Sequence, residues 1–281
     1  MRTLIPWVFI LAFIGVALAF MVAPTAMLAF QSVYGDDGFS WQYIASLGEY
    51  RYRVAFLNSL ILSIGSATIG VVAGGLIAHT VQKPGSPNWL RSAVTSFSAV
   101  AANFAGVPLA FAFISTLGSL GLLTTLLKDI GLDVYSHGFS LYSLPGLMLV
   151  YAYFQVPLMV IIITPGIQAL RVSWREAAEN LGATDSQYWR MIGLPVLAPS
   201  LLSGWILLFG SAFSAYATAY ALTSGNIGLV TTEISNVLSG NVMASPQTGA
   251  ALSVGMIVVM VSVLFLSSLL ARRAARWAPR R

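Results

Sequence analysis

An all-α membrane protein of six transmembrane helices is the fold class this chain predicts, and three observations carry the prediction. Of its 281 residues, 57% are hydrophobic and 8% charged, against about 25% charged in an ordinary soluble domain. Windows of about 20 apolar residues, the length that crosses a hydrocarbon layer of about 30 Å, occur near 5–30, 54–80, 93–117, 142–168, 198–223 and 249–271. Runs such as Ile61–Ala78 lack the apolar/polar alternation, in segments of about 10 residues, that a membrane barrel requires. No linker, composition shift or internal repeat divides residues 1–281, so a single transmembrane domain is expected.

The opening stretch, with Arg2 as a short basic region, imitates a secretory signal. Its apolarity persists from Leu4 to Phe30, however, beyond the roughly 7–15 residues of a signal core, so it reads as the first span. The loop at 34–53 carries Asp36, Asp37 and Glu49. The loop at 118–141 carries Lys128, Asp129, Asp133 and His137, and its Leu122, Leu123, Leu126, Leu127 and Ile130 are spaced for a short surface helix.

Orientation follows from the basic residues, which are retained on the cytoplasmic side. With the N-terminus inside, the cytoplasmic segments hold Arg2, Lys83, Arg91, Arg171, Arg175, Arg190, Arg272, Arg273, Arg276, Arg280 and Arg281, leaving Arg51, Arg53 and Lys128 outside. Both termini are therefore expected in the cytoplasm. The net charge of +5 is accounted for by this topology, and the tail Arg272–Arg281 reads as a stop-transfer and lipid-headgroup anchor rather than a nucleic-acid site. The sequence has no Cys, which excludes disulfides and thiol chemistry.

Between the fourth and fifth windows the chain changes character. Residues 171–195, RVSWREAAENLGATDSQYWRMIGLP, carry six charged side chains in a protein with only 14 Lys and Arg and 9 Asp and Glu. Ser173 followed by Glu176 is a capping-box pattern, so a helix is expected from Trp174 with Trp174, Ala177, Ala178 and Leu181 on one stripe. Gly182 falls where a helix C-terminus needs positive φ. Thr184 and Gln187 repeat the capping pattern for a second helix presenting Tyr188, Met191 and Ile192, which Leu194 and Pro195 should end. The pair of alanines would let another backbone approach closely. Read from spacing alone, this helix-turn-helix either docks on another protein or folds back on its own bundle or on lipid.

Glu176, Ala177 and Ala178, Gly182 after three residues, Ile192 after nine more, then Leu194 and Pro195 resemble the EAA signature of the permease subunits of binding-protein-dependent ABC importers, type I. The motif sits in a cytoplasmic loop of about 169–197, and the resemblance extends to the six-span architecture. It implies that this loop is the coupling element, seated in a cleft of a cytoplasmic ATPase. It also implies a second permease subunit, identical or different, two ABC ATPase subunits that hold ATP and Mg, an extracytoplasmic solute-binding protein, and no cofactor in this chain. Carried over by position, Glu176 would pair with a basic group of the ATPase, Ala177 and Ala178 would lie on its surface with Trp174 and Leu181 at either end, and Gly182 would make the turn.

None of the six windows holds an Asp, Glu, Lys or Arg in its interior. That argues against the alternative class, an ion-coupled secondary transporter, whose relays use such residues and whose spans tend to be broken near the midplane. His79 and His137 are too far apart in the chain's topology to build a metal site or a nucleophile and base pair, and a Gly-x-x-x-x-Gly-Lys phosphate loop is missing. No catalytic residue is expected here. Neutral polar groups remain for a solute path: Ser211, Ser214 and Thr218 on one helical stripe, Tyr216 and Tyr220 on another, and Asn103, with Asn58, Ser59, Ser63 and Gln155 as further candidates. Each could equally serve helix–helix hydrogen bonding. The segments Asn103–Phe113 and Phe213–Gly225 are similar to the importer branch that serves polyamines, thiamine and iron, which makes a polyamine the first expectation for the solute.

Overall fold

The computed structural model describes residues 4–35, 38–83, 85–239 and 246–275, with side chains from 10 to 269. Helices dominate: α1 (Leu4–Ala17), α2 (Ala23–Gln31), α3 (Gln42–Ala45), α4 (Tyr50–Gln82), α5 (Asn88–Asn103), α6 (Val107–Leu117), α7 (Leu122–Asp129), α8 (Leu144–Gln168), α9 (Val172–Asn180), α10 (Asp185–Tyr188), α11 (Leu194–Ser214), α12 (Ala217–Thr223), α13 (Val230–Leu238) and α14 (Pro246–Ala275). A two-residue antiparallel pair, β1 (Tyr34–Gly35) with β2 (Gly38–Phe39), is the sheet among the described residues. Asp36 and Asp37, Arg2, and Arg276, Arg280 and Arg281 lie outside the described residues, as do the side chains of Arg272 and Arg273.

Six segments are long and apolar enough to cross a membrane: Ile10–Gln31, Tyr50–Gln82, Val107–Asp129, Leu144–Gln168, Asp185–Ser214 and Pro246–Leu269. The all-α membrane class is thus what the chain adopts. Two of the expected windows are not single helices. The window at 93–117 is interrupted between α5 and α6, where Gly106 adopts φ 77° and ψ −151°. That conformation is open essentially to glycine alone, and Pro108, with no N–H and a ring that clashes with the carbonyl four residues back, could not have continued α5. The window at 198–223 is interrupted at Ala215, which is extended, so that α11 ends at Ser214 and α12 starts at Ala217.

The described residues form two compact units, one from the segments within 1–56 and 228–259, the other from those within 57–227 and 260–281. In the first, Tyr52, Ala55, Val230, Val237 and Leu252 make a buried cluster. Gly255 admits the Phe56 ring so closely that a Cβ there would lie 2.7 Å from it. Glu233, 5% exposed, is neutralised by Arg51 at 2.5 Å, the pairing that a carboxylate needs to be buried at all.

In the second unit α8 is the central element. Its Tyr151, Phe154, Met159 and Ile163 are buried, and the helix packs on α5 and α11 and on the glycines of α4. The α4 glycines permit the approach: a Cβ on Gly74 would lie 2.6 Å from the Val156 carbonyl oxygen, and one on Gly204 of α11 would meet the Met159 sulfur at 2.7 Å. Small residues at such crossings let membrane helices pack by van der Waals contact. Gln155, fully buried, donates to Ser66 Oγ at 3.2 Å and to the Leu208 carbonyl at 3.4 Å, joining α8 to α4 and α11.

Candidate functional site: a hinged charged loop and two broken spans

The loop after α8 folds as two short helices. α9 begins at Val172 rather than Trp174, and its N-cap is Arg171 with no side-chain cap, so Ser173 does not cap it. The Arg171 guanidinium instead stands over the Trp174 ring at 5.9 Å, an attraction of a cation to a π face that accompanies the entry of the chain into the helix. At the other end Gly182 has φ 77°. The Gly182 N–H donates to the Glu179 carbonyl and the Ala183 N–H to the Ala178 carbonyl, each at 2.9 Å. This is the Schellman pattern, which satisfies the last carbonyls of the helix and requires positive φ at that residue.

Thr184 caps α10 as its spacing predicts: Thr184 Oγ1 accepts from the Gln187 N–H at 3.3 Å, and Gln187 Oε1 accepts from the Thr184 N–H at 2.8 Å. Arg175 ties the two helices together, donating from Nε to Glu179 at 2.9 Å and from a terminal nitrogen to Asp185 at 2.6 Å. The hydrogen bond to Glu179, and then the charge of Asp185, hold that guanidinium still further above its ordinary range. Pro195 does not end the second helix. The backbone passes through a π-turn, Trp189–Gly193, and runs on into α11. The widened turn lies just ahead of Pro195, where a regular helix would lose a hydrogen bond and clash with the ring. Trp189 anchors the turn, its ring 4.5 Å from His79 on α4.

The expected stripe is divided by the fold. Ala178 is buried and Trp174 half-buried, while Glu176, Ala177 and Gly182 are exposed and Leu181 is 88% exposed. Ile192 is half-buried, and Leu194 and Pro195 are exposed. The outer face of the loop therefore presents a carboxylate beside a methyl group and a nearly bare leucine.

The second set of candidate residues gathers at the broken spans. Gly106 N–H donates to Thr218 Oγ1 at 2.8 Å, which ties the interruption before α6 to the one before α12. The Tyr151 hydroxyl donates to the Ala215 carbonyl at 3.2 Å. Backbone groups freed inside a membrane segment must find such partners. Thr218 is consequently buried. Around the seam Asn103, Ser214 and Tyr220 are exposed, and Ser211 and Tyr216 half-buried. Asn103 Nδ2 donates to the Ala99 carbonyl and Ser214 Oγ to the Gly210 carbonyl, both at 2.8 Å. Tyr216 and Tyr220 stack, centroids 5.2 Å apart. Sequence reasoning missed Phe104 and Tyr153, which with Phe113 form an edge-to-face chain at 6.3 and 5.7 Å. The Asn-Phe-Ala-Gly-Val-Pro run, with its Gly and Pro, was the available signal for the break beside them.

A family model described as the binding-protein-dependent transport system inner membrane component matches residues 87–278. The thiamine transport system permease protein ThiP of Escherichia coli is 24% identical over 93% of this chain and 47% of its own length. The spermidine/putrescine permease PotC of Haemophilus influenzae is 22% identical over 93% of this chain and 96% of its own. The chain thus spans about half of the first of these relatives and nearly all of the second. Among solved structures, a chain of a bacterial ABC transporter that imports the acidic polysaccharide alginate superposes with TM-score 0.78 at 20% identity, covering 97% of this chain and 96% of that one. A chain of the MetNI methionine ABC transporter superposes with TM-score 0.57 at 15% identity, covering 79% and 94%. With the family model spanning well over half of the sequence, the chain belongs to the binding-protein-dependent inner membrane permease components of ABC importers.

Proposed function

We propose that this chain forms half of a solute path across the membrane and that the loop 172–193 transmits the movement of a cytoplasmic ATPase to it. The observation that carries the reading is the loop's outward face, where Glu176, Ala177 and Leu181 stand free on a helix pair locked internally by Arg175, Gly182 and Thr184. A rigid module with an unspent apolar and acidic face transmits force better than a pliable one. Because α10 runs through the π-turn directly into α11, a push on the loop would reach Ser214 and the seam at Ala215 along one continuous rod. The partners follow: a second permease subunit, two ABC ATPases holding ATP and Mg, and a binding protein that delivers solute. Both chain termini lie in the cytoplasm on this reading.

For the path we infer that Asn103, Ser211, Ser214, Tyr216 and Tyr220 line it, with Thr218 holding the seam closed behind them. Support comes from the exposed polar and aromatic groups collected at two interruptions. A polyamine is the first solute to test, since PotC is among the relatives and stacked tyrosines attract cations; relatives also include sulfate and trehalose permeases, so the binding protein sets the choice. Reconstitution with the ATPase and binding protein tests the whole: solute-loaded binding protein should stimulate ATP hydrolysis, and Glu176→Lys should abolish that stimulation while the complex still assembles. Unchanged stimulation in that variant would refute the coupling role.

A further inference from the structure

We infer that the inner end of the second unit holds a specific site for an anionic phospholipid, with the headgroup beside the coupling loop and an acyl chain along α4, α8 and α11. Two adjoining cavities carry the inference. One, of about 290 Å³, is bounded by the ends of α4, α5 and α8 and by α9, and is lined by His79, Lys83, Arg91, Arg171 and Arg175. The other, of about 480 Å³, is lined almost wholly by carbon, from Val72, Gly75, Leu76, Ile163, Leu197 and Leu201. His79, Ile167 and Trp189 line both, so the basic mouth and the apolar floor adjoin at these three residues.

The charges in the mouth are not all spoken for. Arg175 is paired with Glu179 and Asp185. Arg91 donates to the Val81 and Lys83 carbonyls, which caps α4. Lys83 forms no ion pair among the described residues, and Arg171 forms none either, its guanidinium standing over the Trp174 ring with no carboxylate to neutralise it. No carboxylate lines the recess. An occupant must therefore offer a negative group and, directly below it, a length of hydrocarbon. A free phosphate or nucleotide satisfies the mouth alone, and a hydrophobic helix satisfies the floor alone. A phospholipid with net negative charge satisfies both, and basic pockets between spans are where such headgroups are held. Bound there, it would bridge α4 and α5 to α9 and stiffen the base of the loop. The inference does not depend on which solute is carried.

The test uses the full chain, purified in detergent and titrated with phosphatidylglycerol or phosphatidylcholine, bound lipid being read by native mass spectrometry. Quenching of Trp189 by brominated acyl chains, taken as the difference between the wild type and Trp189→Phe, gives a second readout. Phosphatidylglycerol should bind in preference to phosphatidylcholine. Lys83→Ala with Arg171→Ala should weaken that binding by about thirtyfold, since each basic group near an anionic surface contributes roughly a fivefold factor. Gly75→Leu, whose side chain would enter open space 4.0 Å from Leu201, should remove the quenching and leave the charges intact. Equal binding of the two lipids, or retention of the preference in both variants, would overturn the inference. So would displacement of phosphatidylglycerol by inorganic phosphate with Gly75→Leu inert, which would make this a phosphate site. Loss of permease pairing in Gly75→Leu without loss of lipid would make the floor a protein interface, and would also overturn it.

Discussion

Glycine at position 182 and glycine at position 74 are required for different reasons, and the difference is testable. A Cβ on Gly182 would meet nothing within 4 Å, so its constraint is the backbone, at φ 77°. A left-handed conformation costs an ordinary L-residue roughly 1–2 kcal/mol, and asparagine less. Gly182→Val should therefore leave the spans folded but uncouple ATP hydrolysis, whereas Gly182→Asn should retain most of the coupling, as measured in the reconstituted complex. At Gly74 the constraint is space: the nearest atom to an added Cβ is a backbone oxygen at 2.6 Å, which cannot swing aside. Gly74→Val should lower stability by at least about 1–3 kcal/mol, the range for overpacking, seen as a reduced unfolding temperature of the purified chain. Gly75→Ala, one residue on and facing open space, should not. These residue-level features were unequally legible. The Thr184 cap and the Gly182 turn depend on residues within five positions of each other and could be read from spacing. Ser173 offered the same pattern as Thr184, yet the structure places it inside the first turn of α9, which begins two residues earlier than expected, at Val172, with Arg171 as N-cap and its guanidinium over Trp174.

Helix interruptions are the feature of this fold that hydropathy could not reveal. A window average sees 93–117 and 198–223 as apolar and continuous, and the average is indifferent to a single backbone dihedral. The break at Gly106 had a local cause in Gly106 and Pro108. The break at Ala215 has none, since Ser-Ala-Tyr-Ala contains no helix breaker; there the Tyr151 hydroxyl takes up the freed carbonyl and Thr218 the facing N–H of Gly106. The placement of polar residues on two stripes of one helix assumed that no such break existed. Thr218→Val keeps the side-chain volume and leaves the part-buried Gly106 N–H without its acceptor, which should cost about 1 kcal/mol, the low end of the range for an unsatisfied donor. Thr218→Ser should restore the loss, with thermal unfolding as the measurement. Broken spans are also expected of ion-coupled carriers. In this chain the freed groups at Gly106 and Ala215 are engaged by Thr218 and Tyr151, and the two interrupted windows, 93–117 and 198–223, contain no Asp, Glu, Lys or Arg to replace them as ion ligands.

On the scale of the molecule, composition sufficed for the fold class and the number of spans, because 57% hydrophobic residues in six long runs admit few other solutions. The seam and the recess beside the loop join residues far apart in sequence, such as Lys83 with Arg171 and Gly106 with Thr218, so no local pattern could announce them. Orientation rests on the basic residues, and the Cys-free background makes it directly testable. Ser186 in α10 and Ser136 in the loop after α7 are both exposed. Ser136→Cys should react with an impermeant thiol reagent on intact cells, and Ser186→Cys should react only after the membrane is opened. The reverse pattern would invert the topology.

If the outer face of the loop seats directly on an ATPase subunit, as proposed, Leu181 is the side chain that reports on it, being 88% exposed in the chain alone. A photo-activatable benzoylphenylalanine at position 181, irradiated in the assembled transporter, addresses this without any second reactive residue. One dominant adduct is expected, with the mass of this chain plus one ATPase subunit and in a yield that changes when nucleotide is trapped. Adducts confined to lipid or to this chain itself, with the ATPase subunits bound but unlabelled, would contradict it.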